Sequence, residues 1–159
     1  MTESDKLLFL RDIFIPLLSP LKAADTGRWG KMNAQQMVEH LTDFFRVSTG
    51  DIRMPVVSNE EHLPKLRAFL QSDKPFRENT KAPVLPEEPQ PVRNAGLQEA
   101  LEELSTAVDA FFALFENDPD LTTTHPVFGV LNGNEWILLH YKHVTHHLRQ
   151  FGLITETDA

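Results

Sequence analysis

The chain has 159 residues, 41% of them hydrophobic and 24% charged, which is ordinary globular composition with length enough for a buried core. Its 15 Lys+Arg against 23 Asp+Glu give a formal charge of −8, so it lacks the electrostatic footprint of a nucleic-acid or anionic-membrane binder. The absence of cysteine excludes disulfides, thiolate metal sites, iron–sulfur clusters and a cysteine nucleophile. The acidic start, Met1-Thr-Glu-Ser-Asp-Lys, has no positive n-region, and no apolar run approaches the roughly 20 residues of a membrane span. The expected address is the cytoplasm, and the expected organisation is a single domain over residues 1–159.

Four helices follow from the patterning. The first is expected from an N-cap at Ser4 to Leu18, with Leu7, Leu10, Phe14 and Leu17 on one stripe and Pro16 near its end. The second begins after Asn33, where Asn33-x-x-Gln36 reads as a capping box, and stops at Gly50. Seven of the eleven prolines then fall between residues 51 and 95, which predicts an irregular connector interrupted by a short helix around Glu60–Gln71. At 45 residues, with apolar residues of its own, this stretch is too long for a simple crossover, so it is expected to pack over one end or side of the helices and help wall any site. Pro83-x-x-Pro86-x-x-Pro89 reads as extended polyproline II rather than as an SH3-type ligand. The third helix spans Leu97–Asn117, its apolar residues alternating spacings of four and three.

Asn132-Gly133 between apolar runs is both a hairpin signal and, with Asn132-x-x-Glu135, a helix start. The period of Ile137, Tyr141, Val144, Leu148 and Phe151 decides for a fourth helix, ended by Gly152. Four amphipathic helices, a long crossover between the second and third, and little that looks like strand predict an all-α four-helix bundle.

Four of the seven histidines crowd into the last helix: His140, His143, His146 and His147. On a helical wheel centred on Ile137, His140, His147 and His143 fall at roughly −60°, −80° and −120°, along one edge of the apolar stripe beside Trp136. His146 falls at about 180°, the direction expected to face solvent. His143-x-x-x-His147 sets two imidazoles one turn apart, where both can reach one divalent ion. His40 takes the matching flank of the second helix. A lone histidine there is more often a hydrogen-bonded core residue than a ligand, but two helices presenting imidazole at the core edge favour a shared site.

The segments Trp29-Gly-Lys-Met-Asn-Ala-Gln-Gln-Met-Val-Glu-His40-Leu, Asn79-Thr-Lys-Ala-Pro83, His125-Pro-Val-Phe-Gly and Glu135-Trp136, followed by Tyr141-Lys-His143-Val-Thr-His-His147-Leu-Arg-Gln-Phe-Gly152, resemble a branch of the DinB-like superfamily over nearly the whole chain. The resemblance implies a four-helix bundle, often dimeric, with a divalent metal on three histidines: one on the second helix and a His-x-x-x-His pair on the last. By position these are His40, His143 and His147. Characterised relatives follow the final ligand directly with Arg and Gly, whereas His147 is followed by Leu148-Arg149-Gln150.

Three neutral histidines with open coordination positions suit zinc or nickel ahead of iron or manganese. The resemblance implies a metal-dependent enzyme acting on a small molecule, as an S-transferase using a low-molecular-weight thiol or as a metal-assisted hydrolase. The alternative is a non-catalytic metal- or ligand-binding helical bundle. A homodimer is expected on the same basis. Around the triad, Asp43 is placed either to orient the free ring N–H of His40 or as an exposed helix residue. His140 is a second-shell residue, a substitute ligand or a polar residue closing the core edge. Glu39 and His62 are expected in solvent, His125 as a turn residue with a structural hydrogen bond, and Trp29 and Trp136 as core anchors.

Overall fold

The computed structural model describes residues 1–80, 86 and 88–155. Pro83, Val84 and Leu85, and with them part of the polyproline spacing and the Asn79–Pro83 segment, lie outside the described residues.

The N-terminal helix is interrupted. α1 (Glu3–Leu8) passes into a π-helical turn, Phe9–Ile13, and on into α2 (Phe14–Leu17). Pro16 explains the widening, because it has no N–H to give and its ring crowds the carbonyl four residues back, that of Asp12. The cap is Thr2 rather than Ser4: Thr2 Oγ1 accepts from Asp5 N–H at 3.1 Å while Asp5 returns a bond to Thr2 N–H. Leu10, Phe14 and Leu18 are fully buried, so the π turn keeps the apolar stripe pointed inward.

α3 (Ala34–Thr49) starts at the Asn33–Gln36 capping box and stops at Gly50, whose φ of +84° is the left-handed conformation glycine adopts without strain. The connector carries a 3-10 turn, Glu60–His62, and α4 (Leu63–Gln71), with Pro64 in the first turn where no N–H is needed. α5 (Leu97–Asn117) packs along α3, and α6 (Gly133–Gln150) runs from the Asn132–Glu135 capping box to a left-handed Gly152.

A β-hairpin overturns the expectation of an all-α four-helix bundle. β1 (Thr122–His125) pairs antiparallel with β2 (Gly129–Asn132), Thr123 opposite Leu131 and His125 opposite Gly129. Three consecutive threonines favour extended backbone, and Gly129 at φ +80° lets the chain turn back after Pro126–Phe128. Leu131 is fully buried and Val130 is 50% exposed, the two-residue alternation of a half-buried strand. Thr123 Oγ1 donates to Ser48 O at 2.7 Å, tying the hairpin to the end of α3. Strand and helix meet at Asn132, which ends β2 and caps α6; the hairpin turns at Pro126–Phe128 and not at Asn132-Gly133, so of the two signals at that dipeptide only the helix start has a counterpart. The helices and this hairpin enclose one continuous apolar cluster, with Phe14, Phe45, Phe111 and Trp136 among its largest buried side chains.

Candidate metal centre

His40 lies in the second turn of α3, on the side that faces α6. His143 and His147 lie one turn apart on α6, so their rings project from the same strip of helix surface. Three imidazoles converge as a result. His40 Nε2 is 2.8 Å from His143 Nε2, His147 Nε2 is 3.1 Å from His143 Nε2, and one ligand atom from each lies within 4.8 Å of the others. His40 and His143 are partly buried and His147 is buried. Phe44 stands edge-on to both His40 and His143, with centroids 5.1 and 5.3 Å away.

Burial keeps all three rings neutral. It pushes His40 down to about 4, with the nearby His146 adding to the effect. His143 and His147 are held well below the ordinary histidine value, first by burial and then by neighbouring imidazoles. Neutral imidazole is the metal-binding form.

The donor set fits a divalent ion. A neutral imidazole has one N–H and one lone pair, so His143 Nε2 can offer one proton or one lone pair, not both, to its two Nε2 neighbours. Hydrogen bonding alone leaves that arrangement frustrated. An ion at about 2.0–2.1 Å from each nitrogen would satisfy three lone pairs at once, with tetrahedral N···N edges of roughly 3.3 Å. The two edges at His143, 2.8 and 3.1 Å, lie near that figure, and all three ligand atoms fall within 4.8 Å of one another, so binding would need the His40 and His147 rings to draw together around the ion.

The surroundings correct several expectations. His146 is 6% exposed instead of solvated. Trp29 and Phe76 cover it, with ring centroids at 5.5 and 5.9 Å. The wheel treated α6 as having one buried face, but the loop before α3 and the connector after α4 bury its opposite side as well. Glu39 is 4% exposed, also against expectation: its carboxylate accepts from the backbone N–H of Arg93 at 2.9 Å and of Asn94 at 3.0 Å, and from the Asn94 side chain at 3.0 Å. Asp43 neither orients His40 nor stands free in solvent. It pairs with Arg93 at 3.0 Å, and Arg93 also holds Glu103 at 2.6 Å.

His140 closes the core, stacked on Phe45 at 3.8 Å and near Trp136 at 5.3 Å, and its ring is not a member of the converging group. His125 is a structural turn residue, its Nδ1 accepting from Val127 and Phe128 N–H at 2.9 and 3.2 Å. His62 is a surface residue with a side chain 61% exposed. Trp136 is a fully buried anchor, whereas Trp29 is partly buried and lies over His146.

The connector packs on the site's α6 side. Lys142 Nζ donates to Ser72 O at 2.6 Å and Lys74 O at 2.5 Å, capping the C-terminal end of α4, and Phe76 follows over His146. One contact escaped the sequence reading: His147 Nδ1 lies 2.7 Å from Gln150 Oε1. The i,i+3 spacing on one helix was its only sequence signal.

Fold and site together define a helical domain with a small hairpin and a three-histidine group that could hold a metal ion. The family model described as "Protein of unknown function (DUF1569)" matches residues 15–153, and the chain belongs to that family. No curated protein and no solved structure gives a significant match. No helix among the described residues is long and apolar enough to cross a membrane.

Proposed function

We propose that the protein holds a divalent metal ion, zinc or nickel, on His40, His143 and His147, and that it is a metal-dependent enzyme of the DinB-like superfamily acting on a small molecule. The observation that carries this reading is the convergence of three neutral Nε2 atoms from two helices. A divalent ion there supplies Lewis acidity toward a water, for hydrolysis, or toward a thiol, for S-transfer. The chain has no cysteine, so a thiol would arrive as a low-molecular-weight cosubstrate such as bacillithiol, mycothiol or glutathione. The protein's own part is to keep three imidazoles neutral and aimed at one point. A homodimer belongs to the same proposal and predicts twice the chain mass by light scattering.

A second reading, a non-catalytic metal-binding domain, draws on one observation. The carboxylates nearest His40 in sequence, Glu39 and Asp43, are engaged by Arg93 and Asn94 and offer no acid or base to the triad.

Metal analysis of protein purified without a nickel column tests the site. The expected result is about one zinc or nickel per chain, with His40→Ala, His143→Ala and His147→Ala each lowering affinity by orders of magnitude. Wild-type protein that neither carries nor takes up either metal would remove the proposal. Metal-dependent turnover of a thiol cosubstrate would separate the enzyme from the binding domain.

A further inference from the structure

We propose that Gln150 is the positioning residue of this centre: it holds His147 in the Nδ1–H form, with the Nε2 lone pair facing the other two ligands, and the loop around Trp29 holds Gln150. The inference rests on the reading of His40, His143 and His147 as metal ligands.

The hydrogen-bond chain leaves one assignment. Gln150 is buried, and its amide reaches two partners, His147 Nδ1 at 2.7 Å and Trp29 O at 2.9 Å. A backbone carbonyl can only accept, so the Gln150 NH2 group must face Trp29. Its Oε1 then faces His147, and an amide oxygen also can only accept. His147 Nδ1 must therefore carry the proton, which leaves Nε2 with its lone pair. A ligand whose distal nitrogen is tied in this way has its tautomer and ring plane set before any ion arrives.

Gln150 is itself gripped by a segment more than a hundred positions earlier in the chain. Arg28 N–H donates to the Gln150 backbone carbonyl at 2.7 Å, and an isolated bridge between Thr26 and Asn33 closes the loop. Two glycines permit the contact. A Cβ on Gly27 would lie 2.8 Å from Gln150 Cγ, and one on Gly30, at φ +78°, would lie 2.8 Å from Gln150 Nε2. A side chain at either position would require the Gln150 side chain to shift, and at Gly27 it would also crowd Trp29 O, the acceptor of its amide. The loop that opens the α3 segment thereby sets the orientation of a ligand on α6.

The test uses 15N-histidine-labelled protein freed of metal by a chelator, with long-range 1H–15N correlations reporting the His147 tautomer at neutral pH. Zinc affinity is measured in parallel by competition with a chromophoric chelator. Wild type is expected to show Nδ1–H at His147. Gln150→Leu should release that preference and weaken zinc binding roughly 10–100-fold. Gln150→Glu should keep the Nδ1–H form, because a carboxylate still accepts, while loosening the Trp29 contact. Gly27→Ala should weaken zinc binding by displacing the Gln150 side chain, while the chemical identity of every group that touches His147 stays the same. If Gln150→Leu does not fold, the wild-type tautomer with Gln150→Glu and Gly27→Ala decides. An Nε2–H tautomer at His147 in wild type, or Gln150→Leu with unchanged tautomer and unchanged zinc affinity, overturns the proposal. A tautomer that shifts in Gln150→Leu while wild type binds no zinc supports the positioning role and removes the metal reading beneath it.

Discussion

Glu39→Gln should destabilise the protein far more than a charge-neutralising change at a surface position, because the carboxylate is a buried acceptor for four groups. Oε1 accepts from Arg93 N–H at 2.9 Å, and Oε2 from Asn94 N–H at 3.0 Å, Asn94 Nδ2 at 3.0 Å and Gln35 Nε2 at 3.3 Å. A glutamine keeps one oxygen and turns an NH2 group toward donors on the other side. At least one buried backbone N–H then loses its acceptor, and the remaining bonds lose their charge assistance. With about 1–3 kcal/mol for an unsatisfied buried donor, a total loss of roughly 2–4 kcal/mol is expected. The pH dependence is distinctive. Burial would raise the Glu39 carboxyl, but the hydrogen bonds from Arg93, Asn94 and Gln35 outweigh it and hold the group below its ordinary value of 4.5. The unfolded chain therefore binds this proton more readily. The stabilisation is complete above pH 4.5 and is lost as pH falls through the lower folded value. Urea unfolding of wild type and Glu39→Gln at pH 7 and again near pH 3 measures both effects. A difference under 0.5 kcal/mol at pH 7, on the order of an ordinary surface substitution, would refute the clamp.

His146→Ala should keep the metal content of wild type, since its ring is held by Trp29 and Phe76 outside the converging nitrogens, and should lower stability by about 1–3 kcal/mol. Metal analysis beside urea unfolding separates the two effects, and loss of metal would place His146 among the ligands. Lys142→Met should leave Ser72 and Lys74 carbonyls without their cation and speed proteolysis within residues 72–80; an unchanged cleavage rate would count against anchoring of the connector. Burial pushes His125 down to about 4, so between pH 6.5 and 4 the unfolded state binds the extra proton and stability falls as pH falls. His125 alone contributes about 3 kcal/mol to that loss, and a flat stability profile of chelator-treated protein across this range would contradict its burial as a neutral ring.

Features governed by neighbours in sequence were legible without the structure. The capping boxes at Asn33–Gln36 and Asn132–Glu135, and the stops at Gly50 and Gly152, involve backbone and side chains within one turn, so spacing alone marks them. The same is true of His143 and His147, whose shared face follows from 3.6 residues per turn. What the chain does far from itself was not legible. The burial of His146 depends on Trp29 and Phe76, and that of Glu39 on backbone N–H groups 54 and 55 positions away. The hairpin was missed because strands of four residues carry too few alternations to register, and their pairing is set by packing against α3. Local spacing determined which side chains could share a helix face. The family resemblance pointed to His40 as the partner of His143 and His147, but only tertiary packing brought the three together, joined Gln150 to Trp29 and buried the His146 side of the last helix, because those contacts join segments far apart in sequence.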